Sequence, residues 1–412
     1  METESLVLVV NPGSASRKYA LFAGGKMRAS INFEFEDGGV ISKVEFAGEK
    51  HVQKYDDADL SAVSRYVLAL LHEHQVISET DKMDVIGIRV VAPSRQFMSD
   101  KLVTPAIETA LEAIQQKAPL HITTVLAEIK HLEHFFPGIP VVTVSDSAFH
   151  ATLPDYAWNY AIDPALAEKY DIRRYGYHGV SIESVVRYLQ SSDSLKPKTV
   201  ICHIGSGSSL TAVMDGKSVD TTMGYTPLEG LMMASRSGSI DVAAALAIKR
   251  ELDLTDDGLE QYLNKQSGLL GVSGSSNDIR QLLTSEAQGD ERAKLALKLF
   301  VYRIQQLIGQ MAASMGGIDC LVFTATIGER SSIIRERVLD GLEYLGLIND
   351  KAVNDATFEP TQPANISSAA SKPILVVSTD ESTEIARRAE LYITLTRCNV
   401  TGIKKSKLAL LT

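Results

Sequence analysis

Two stretches of this chain share one plan. Residues 7–16 read VLVVNPGSAS and residues 200–209 read VICHIGSGSS. Each is an apolar run suited to a buried strand, then a polar residue, then a Gly/Ser turn, then a second strand. A recurrence at this separation is no solenoid, whose period is about 20–50 residues. It describes either two similar halves facing each other or a chance recurrence of Gly/Ser turns. Such a turn leaves backbone N–H groups pointing outward with hydroxyls beside them, which makes a concave anion site suited to phosphate. Two of them suggest a phosphate passed across a cleft.

The remaining pattern alternates strands with helices, so an α/β fold is expected. Strands are expected at 6–10, 18–23, 139–144, 199–204, 209–214, 218–221, 320–325 and 374–377. Helices are expected at 59–73, 105–116, 122–135, 240–250, 259–264, 291–315, 332–345 and 384–396, with Pro119 interrupting ahead of 122. A Tyr-rich segment, 149–177, marks the start of a second domain.

Composition narrows the function. Of 412 residues, 45% are hydrophobic and 22% charged, enough apolar material for at least two cores and too much for a disordered chain. The net charge of -10 repels phosphate backbones, so no nucleic-acid partner is expected. The tail lysines Lys404, Lys405 and Lys407 read as a solvated terminus. No run approaches the ~20 apolar residues of a membrane span, and METES ahead of 6–10 lacks the basic region of a secretory signal. Cys202, Cys320 and Cys398 are odd in number and far apart, and read as small buried hydrophobes in a reducing cytosol.

Common nucleotide and metal signatures fail. Gly216-Lys217-Ser218 ends like a P-loop, but Thr211 stands where the first Gly is required. His131-Leu-Glu-His134 and His72-Glu-His74 lack the HExxH spacing and read as helix-surface residues. Single residues carry the chemistry instead. Arg89 ends an apolar stretch, where it either bridges a carboxylate or binds an anion. Asp146 follows a strand end, where ligand sites of α/β sheets gather, or else caps a helix. His178 sits in Tyr-Gly-Tyr-His-Gly, as a functional or a hydrogen-bonded structural histidine. Arg236 lies among Ser235, Ser237, Gly238 and Ser239, an anion-like setting.

Longer motifs carry a resemblance. In order, the chain holds VNPGSASRK at 10–18, APLH at 118–121, DSAFHATLP at 146–154 and RRYGYHGVS at 173–181. It continues with HIGSGSSLTAV at 203–213, KSVDTTMGYTPLEGL at 217–231 and SRSGSID at 235–241. SGSSNDIR at 273–280, ATIGER at 325–330 and STDE at 378–381 complete the set. Over nearly its whole length the chain resembles the acetate kinase family and its short-chain relatives such as propionate kinase. That family belongs to the superfamily of sugar kinases, actin and heat-shock ATPases.

The resemblance implies two duplicated actin-like (ribonuclease H-like) α/β domains with a cleft between them, 1–148 plus a returning 382–412, and 149–381. It implies reversible, Mg2+-dependent phosphoryl transfer between ATP and acetate, with Mn2+ as an alternative ion, in a cytoplasmic homodimer. Asn11, Ser14, Ser16 and Lys18 would line a phosphate-facing hairpin, with Asn11 near the metal and Glu381 holding it. Arg89 and Arg236 would flank the carboxylate and the phosphoryl group, with His121 and His178 beside it and Asp146 positioning carboxylate and metal. Val91, Leu120, Tyr177 and Pro227 would form the acyl pocket. His203, Ile204, Gly205, Ser206 and Gly207 would form one part of the nucleotide side. Asp278, Ile279, Arg280, Thr326, Ile327, Gly328, Glu329 and Arg330 would form the rest.

Departures from the family pattern cluster. Ile88 replaces a histidine, and Val90-Val91-Ala92-Pro93-Ser94 replaces VVHGG. Ser206 stands for Asn, Ala234 for Gly, Ile279 for an aromatic residue, and Thr326 and Arg330 for Gly and Asn. Those on the nucleotide side leave open a different donor such as pyrophosphate, or a nucleotide-binding sensor without turnover.

Overall fold

Leu6–Pro12 is apolar on both faces, with Val7, Leu8, Val9 and Val10 all buried. A strand of that kind belongs inside a sheet covered on both sides. It pairs antiparallel with Ser16–Ala23 and parallel with Val85–Val90. The computed structural model describes residues 4–13, 16–36, 39–55, 59–78 and 80–401, without the side chains at 61, 120 and 399–401. Ser14 and the tail lysines lie outside the described residues.

The strands in chain order are β1 Leu6–Pro12, β2 Ser16–Ala23, β3 Lys26–Glu36, β4 Gly39–Phe46, β5 Glu49–Tyr55, β6 Val85–Val90, β7 Lys101–Leu102 and β8 Val141–Ser145. They continue as β9 Lys198–Ile204, β10 Ser208–Met214, β11 Lys217–Thr221, β12 Cys320–Thr324, β13 Ala364–Asn365 and β14 Ile374–Val376. The first sheet runs β5-β4-β3-β2-β1-β6-β8-β7 and the second β11-β10-β9-β12-β14-β13.

The recurring motif is therefore a true structural repeat. β1 and β9 each turn back into an antiparallel partner, β2 and β10. Each then adds two parallel strands on its other side, β6 and β8 or β12 and β14. Each series ends in a short antiparallel edge strand, β7 or β13. The first sheet alone carries β4 and β5 beyond this plan. The sequence reading has no element between 24 and 58. The alternation of buried Ala29, Ile31 and Phe33 was the signal there. β5, reading EKHVQKY, is charged and exposed, as an edge strand should be.

Contacts divide the chain into one unit up to Ala148 together with residues from Asp380 on, and a second unit, Phe149–Thr379. The returning segment thus begins at Asp380, ahead of the expected 382, and Glu381 belongs to the first unit. Glu381 opens the helix Glu381–Thr401, which packs against β6, β1 and β8. Gly87 on β6 permits the approach: a Cβ there would lie 2.9 Å from Ala389 Cβ and 3.0 Å from Ile385 Cγ2. Pro119 does not interrupt a helix but opens Pro119–Phe135, where its missing N–H costs nothing. The helix expected at 332–345 stops at Leu339, ahead of Gly341 at φ +93°. No helix among the described residues is long and apolar enough to cross a membrane.

One buried cluster ties the first hairpin to the helix behind it. The Tyr19 hydroxyl donates to Glu128 Oε1 at 2.7 Å, and both side chains are buried. Arg17, also buried, donates to the carbonyls of Gly13 and Ser16, the ends of the hairpin turn. Burial pushes the Glu128 carboxyl up, and the Tyr19 bond and the Arg17 charge only partly offset this. A carboxyl raised above its unfolded value of about 4.3 costs folding stability as pH rises from that value through the folded one. Glu128→Gln keeps an acceptor for Tyr19 and carries no charge. Its urea midpoint, followed by far-UV circular dichroism, should match the parent near pH ~4 and gain on it toward pH ~8. A parent advantage that grows with pH would contradict this account of Glu128.

Candidate active site

In a parallel sheet, ligand-handling residues collect where strands end. Asn11 ends β1, Arg89 sits one residue from the end of β6, and Asp146 follows β8, its N–H bonded to Val90 O at 2.9 Å. Strand pairing brings the three side chains together. Arg89 Nε and Nη2 donate to Asp146 Oδ1 and Oδ2 at 3.0 and 2.9 Å. Arg89 Nη1 donates to Asn11 Oδ1 at 3.3 Å, and Asn11 Nδ2 donates to Glu381 Oε2 at 2.8 Å. Asp146 is therefore no helix cap but the fully buried half of a two-pronged ion pair. Burial disfavours the Arg89 charge, yet Asp146 and Glu381 outweigh it and raise its pKa, so the guanidinium stays charged at every working pH.

Two further side chains brace this group. Arg388, on the helix that Glu381 opens, donates to Asp100 Oδ2 and to Ser145 O, both at 3.0 Å. Asp100 Oδ1 accepts from Ser145 N at 2.9 Å. The helix is thereby fixed to the strand end that carries Asp146. Glu381 and Asn11 set a carboxylate and an amide side by side, with Asn11 Nδ2 on Glu381 Oε2 and Asn11 Oδ1 turned to Arg89. That suits a hard divalent ion that takes one or two protein ligands and completes its shell with phosphates and water. Among the described residues no group of three or more His, Cys, Asp or Glu could hold a metal ion.

His121 is the third residue of the helix Pro119–Phe135, and Val91 is buried just past β6. The side chain of Leu120 lies outside the description. Ser16 starts β2, its carbonyl accepting from Gly13 N at 2.9 Å, and Lys18 is exposed.

The second unit assembles its own group around the β9–β10 turn. His178 adopts a left-handed conformation, φ 59° and ψ 19°, immediately before the helix Gly179–Ser191. Such a backbone is uncommon for a residue with a Cβ. Its Nδ1 lies 3.0 Å from Ser209 Oγ, and its ring stacks on His203 with centroids 4.1 Å apart. Gly207 gives both sides room: a Cβ there would stand 3.2 Å from His178 Nε2 and 3.5 Å from Arg236 Nη1. Arg236 Nη1 donates to Pro227 O at 3.3 Å, and Ser206 O accepts from Ala234 N at 3.2 Å. Gly205 faces Ala325, 3.6 Å from its Cβ to a Cβ built at 205. Tyr177, buried, donates its hydroxyl to Tyr225 O at 2.7 Å.

Other expected nucleotide residues behave differently. Ile204 and Ile279 turn their side chains into the core of the second unit, which leaves only their backbones to line a site. For Ile279 the helix phase decides: the helix Ile279–Ala287 buries Ile279 and Leu282 on one face. Arg280 folds back on Asp278 through Nη2–Oδ2 at 2.6 Å and holds that carboxyl below its usual range. Thr326 is exposed, Ile327 half-buried, Gly328 and Glu329 buried, and Arg330 pairs with Glu359.

Sequence reasoning passed over Arg335. It is fully buried and donates to the carbonyls of Gly328, Glu329, Asn354 and Thr357 at 2.7–3.0 Å, and to Asn354 Oδ1 at 2.8 Å. Burial pushes its guanidinium down to about 10, with Asp355 pulling the other way. It holds the turn of 328–329 in shape. The available signal was an arginine inside the buried stripe of Ile334, Val338 and Leu339. His150, likewise unassigned, is buried and bonds Ser218 Oγ at 2.9 Å and Tyr177 O at 3.0 Å, anchoring the loop before His178.

A sequence profile of the Acetokinase family matches residues 6–387. An acetate kinase of Clostridium botulinum is 39% identical over 390 residues, which cover 92% of this chain and 98% of that protein. The crystal structure of Porphyromonas gingivalis acetate kinase is 34% identical, with a TM-score of 0.83, covering 94% of this chain and all of that one. A propionate kinase from Francisella tularensis gives a TM-score of 0.85 at 34% identity, covering 94% of this chain and 99% of that one.

Removing one partner of a buried ion pair strands the other charge, a loss of about 3–5 kcal/mol. Asp146→Asn should lower the urea midpoint of the first unit accordingly, while Asp146→Leu combined with Arg89→Met should recover part of the loss. Equal destabilisation by the single and double variants would show that the pair is not the source.

Proposed function

The chain belongs to the acetokinase family, and we propose that it moves a phosphoryl group reversibly between ATP and acetate, giving ADP and acetyl phosphate. It is a phosphotransferase with a carboxyl group as acceptor and ATP/ADP as co-substrates. An acetate oxygen attacks the γ-phosphorus, the bond to the β–γ bridging oxygen breaks, and that electron pair leaves on ADP. Acetate is already ionised at neutral pH, with a carboxylate pKa of about 4, so no strong base is needed. The difficulty is the approach of two anions, and catalysis is mostly positioning and charge neutralisation.

The Arg89–Asp146 pair carries this reading. Asp146 spends both oxygens on Arg89, which suits a positioning role and not proton abstraction. Arg89 then offers a fixed, permanent charge to the acyl carboxylate and the phosphoryl group, and Arg236 acts on the same group from the second unit. His121 and His178 lie beside that group, and His178 donates to its equatorial oxygens. Val91, Leu120, Tyr177 and Pro227 take the acyl methyl. Ser14, Ser16, Lys18, the turn from His203 to Gly207, Asp278–Arg280 and 326–330 serve the nucleotide and its phosphates. Mg2+, with Mn2+ as an alternative, would be held by Asn11 and Glu381 and would supply charge neutralisation at the phosphates.

The protein acts in the cytoplasm as a homodimer. The helix Val242–Glu251 supports the second statement: it reads VAAALAIKRE, buries none of its residues, and leaves Val242 and Leu246 exposed. An apolar helix face left exposed in this way fits a second copy of this chain.

Trapping acyl phosphate as the hydroxamate tests the reading. Product is expected from Mg-ATP with acetate. Arg236→Lys should lose about 10³-fold or more in kcat, the scale of an arginine acting on a transferring phosphoryl group. No product from acetate, propionate or butyrate would overturn the assignment, and faster turnover with pyrophosphate than with ATP would replace the donor. Leu246→Glu should halve the mass seen by light scattering after gel filtration. An unchanged dimer would place its interface elsewhere.

A further inference from the structure

His178 and His203 are stacked imidazoles, 4.1 Å between centroids and 23° between planes. Two rings this close resist carrying a proton each, so something must decide which one is charged. The answer lies behind His203, in a chain of hydroxyls.

His203 Nδ1 lies 2.8 Å from Ser181 Oγ. Ser181 is on the first turn of the helix that His178 caps, and it is fully buried. Its hydroxyl oxygen accepts from Thr379 Oγ1 at 2.8 Å. Ser184, the next hydroxyl along, commits its own proton to the Ser181 carbonyl at 2.7 Å, and its oxygen lies 3.2 Å from Thr379 Oγ1, a longer contact than the 2.8 Å from Thr379 to Ser181. Thr379 is held in turn by its N–H bond to Glu329 Oε1 at 3.2 Å. A hydroxyl has one proton to give. With Thr379 feeding it, the Ser181 proton points to His203 Nδ1. An imidazole nitrogen that accepts a hydrogen bond carries no proton. The ring proton of His203 is therefore on Nε2.

We infer that Ser181, oriented by Thr379, is a positioning residue that locks His203 as the neutral Nε2–H tautomer, so that His178 alone of the stacked pair can be charged. Protonating His203 would put a hydrogen on Nδ1, so Ser181 would have to accept there and the hydroxyls behind it would have to reverse, with Thr379 giving up its 2.8 Å bond to Ser181 for the 3.2 Å contact with Ser184. The neighbouring charge bears on both rings, and the hydroxyl chain is what tells them apart. His178 faces His203 through the stack, and the guanidinium of Arg236 reaches the same glycine, Gly207, as His178 Nε2. Glu329 contributes a carboxylate to this chain of contacts, and its bond goes to the Thr379 backbone. In the reading proposed above, on which the functional meaning rests, a neutral N–H donor and a chargeable imidazole then serve different phosphate oxygens.

The test needs no turnover. Full-length protein labelled with ¹⁵N-histidine, without substrates, reports tautomer and charge from the ring nitrogen shifts, and His203→Gln assigns the signal. His203 should show the neutral Nε2–H pattern from pH ~8 down to pH ~5.5, a range in which an ordinary histidine titrates. In Ser181→Ala and in the near-isosteric Thr379→Val the lock is gone. His203 should then titrate inside that window, its pKa raised by about one unit or more, the worth of one satisfied buried donor. An Nδ1–H pattern in the parent protein would overturn the inference. So would titration of His203 in the parent within that range, or an unchanged His203 in both variants. Loss of acyl phosphate formation with the tautomer intact would count against the proposed reaction and leave this inference standing.

Discussion

A guanidinium that is four-fifths buried at the end of a β-strand needs a fixed counter-charge, and that requirement organises the first unit. Arg89 is 17% exposed at its side chain and Asp146 not at all. The pair holds only because β6 and β8 run parallel in a register that sets Arg89 beside Val144 and carries Asp146 just past the strand end. Asn11 arrives from β1 on the opposite side, and Glu381 from the head of a helix that Gly87 allows close to the sheet. Arg388 and Asp100 then tie that helix to Ser145. Strand register, glycine placement and helix docking thus converge on one charged side chain.

The second unit repeats the strand plan but puts it to another use. Where β1 offers Asn11 and β6 offers Arg89, β9 offers His203 and β12 runs into Ala325, at φ 66°. Backbone and imidazole groups take the place of the ion pair. The arginine of this unit, Arg236, comes from a loop outside the sheet and is aimed by Pro227 O. The duplication supplies two Gly/Ser turns, and the residues grafted around each make them chemically different.

Local chemistry explains which parts were legible in the sequence. Runs such as 6–10 and 199–204 are apolar on both faces, which only an interior strand tolerates, and their Gly/Ser turns mark the hairpins. Arg89 and Asp146 stand out as charges where an apolar strand ends, and the structure pairs them there. β3–β5 escaped because their signal is weak alternation, with Lys26, Arg28 and Glu34 between the buried positions. The helix Gly179–Ser191 escaped because His178 begins it without a side-chain cap. Ile279 and Ile204 show the opposite limit. A motif places a residue near a site, but helix phase and strand pleat decide where its side chain points, and both point into the core. The pairing of Ser181, Thr379 and Glu329 with His203 joins residues up to 198 positions apart and has no local sequence signature.

Within the proposed reaction, the balance of charge separates two roles for Asp146. A general base needs a free lone pair facing its substrate and a pKa near the working pH. Asp146 has both oxygens on Arg89 and no exposed surface. Accepting a proton would break a charge-assisted fork and leave Arg89 buried beside a neutral acid, against the interaction that keeps Arg89 charged. The acceptor of the reaction is an ionised carboxylate, so no proton waits to be removed. The same carboxylate that would be a poor base is therefore an effective anchor, because everything that makes it inert holds the neighbouring guanidinium in one orientation.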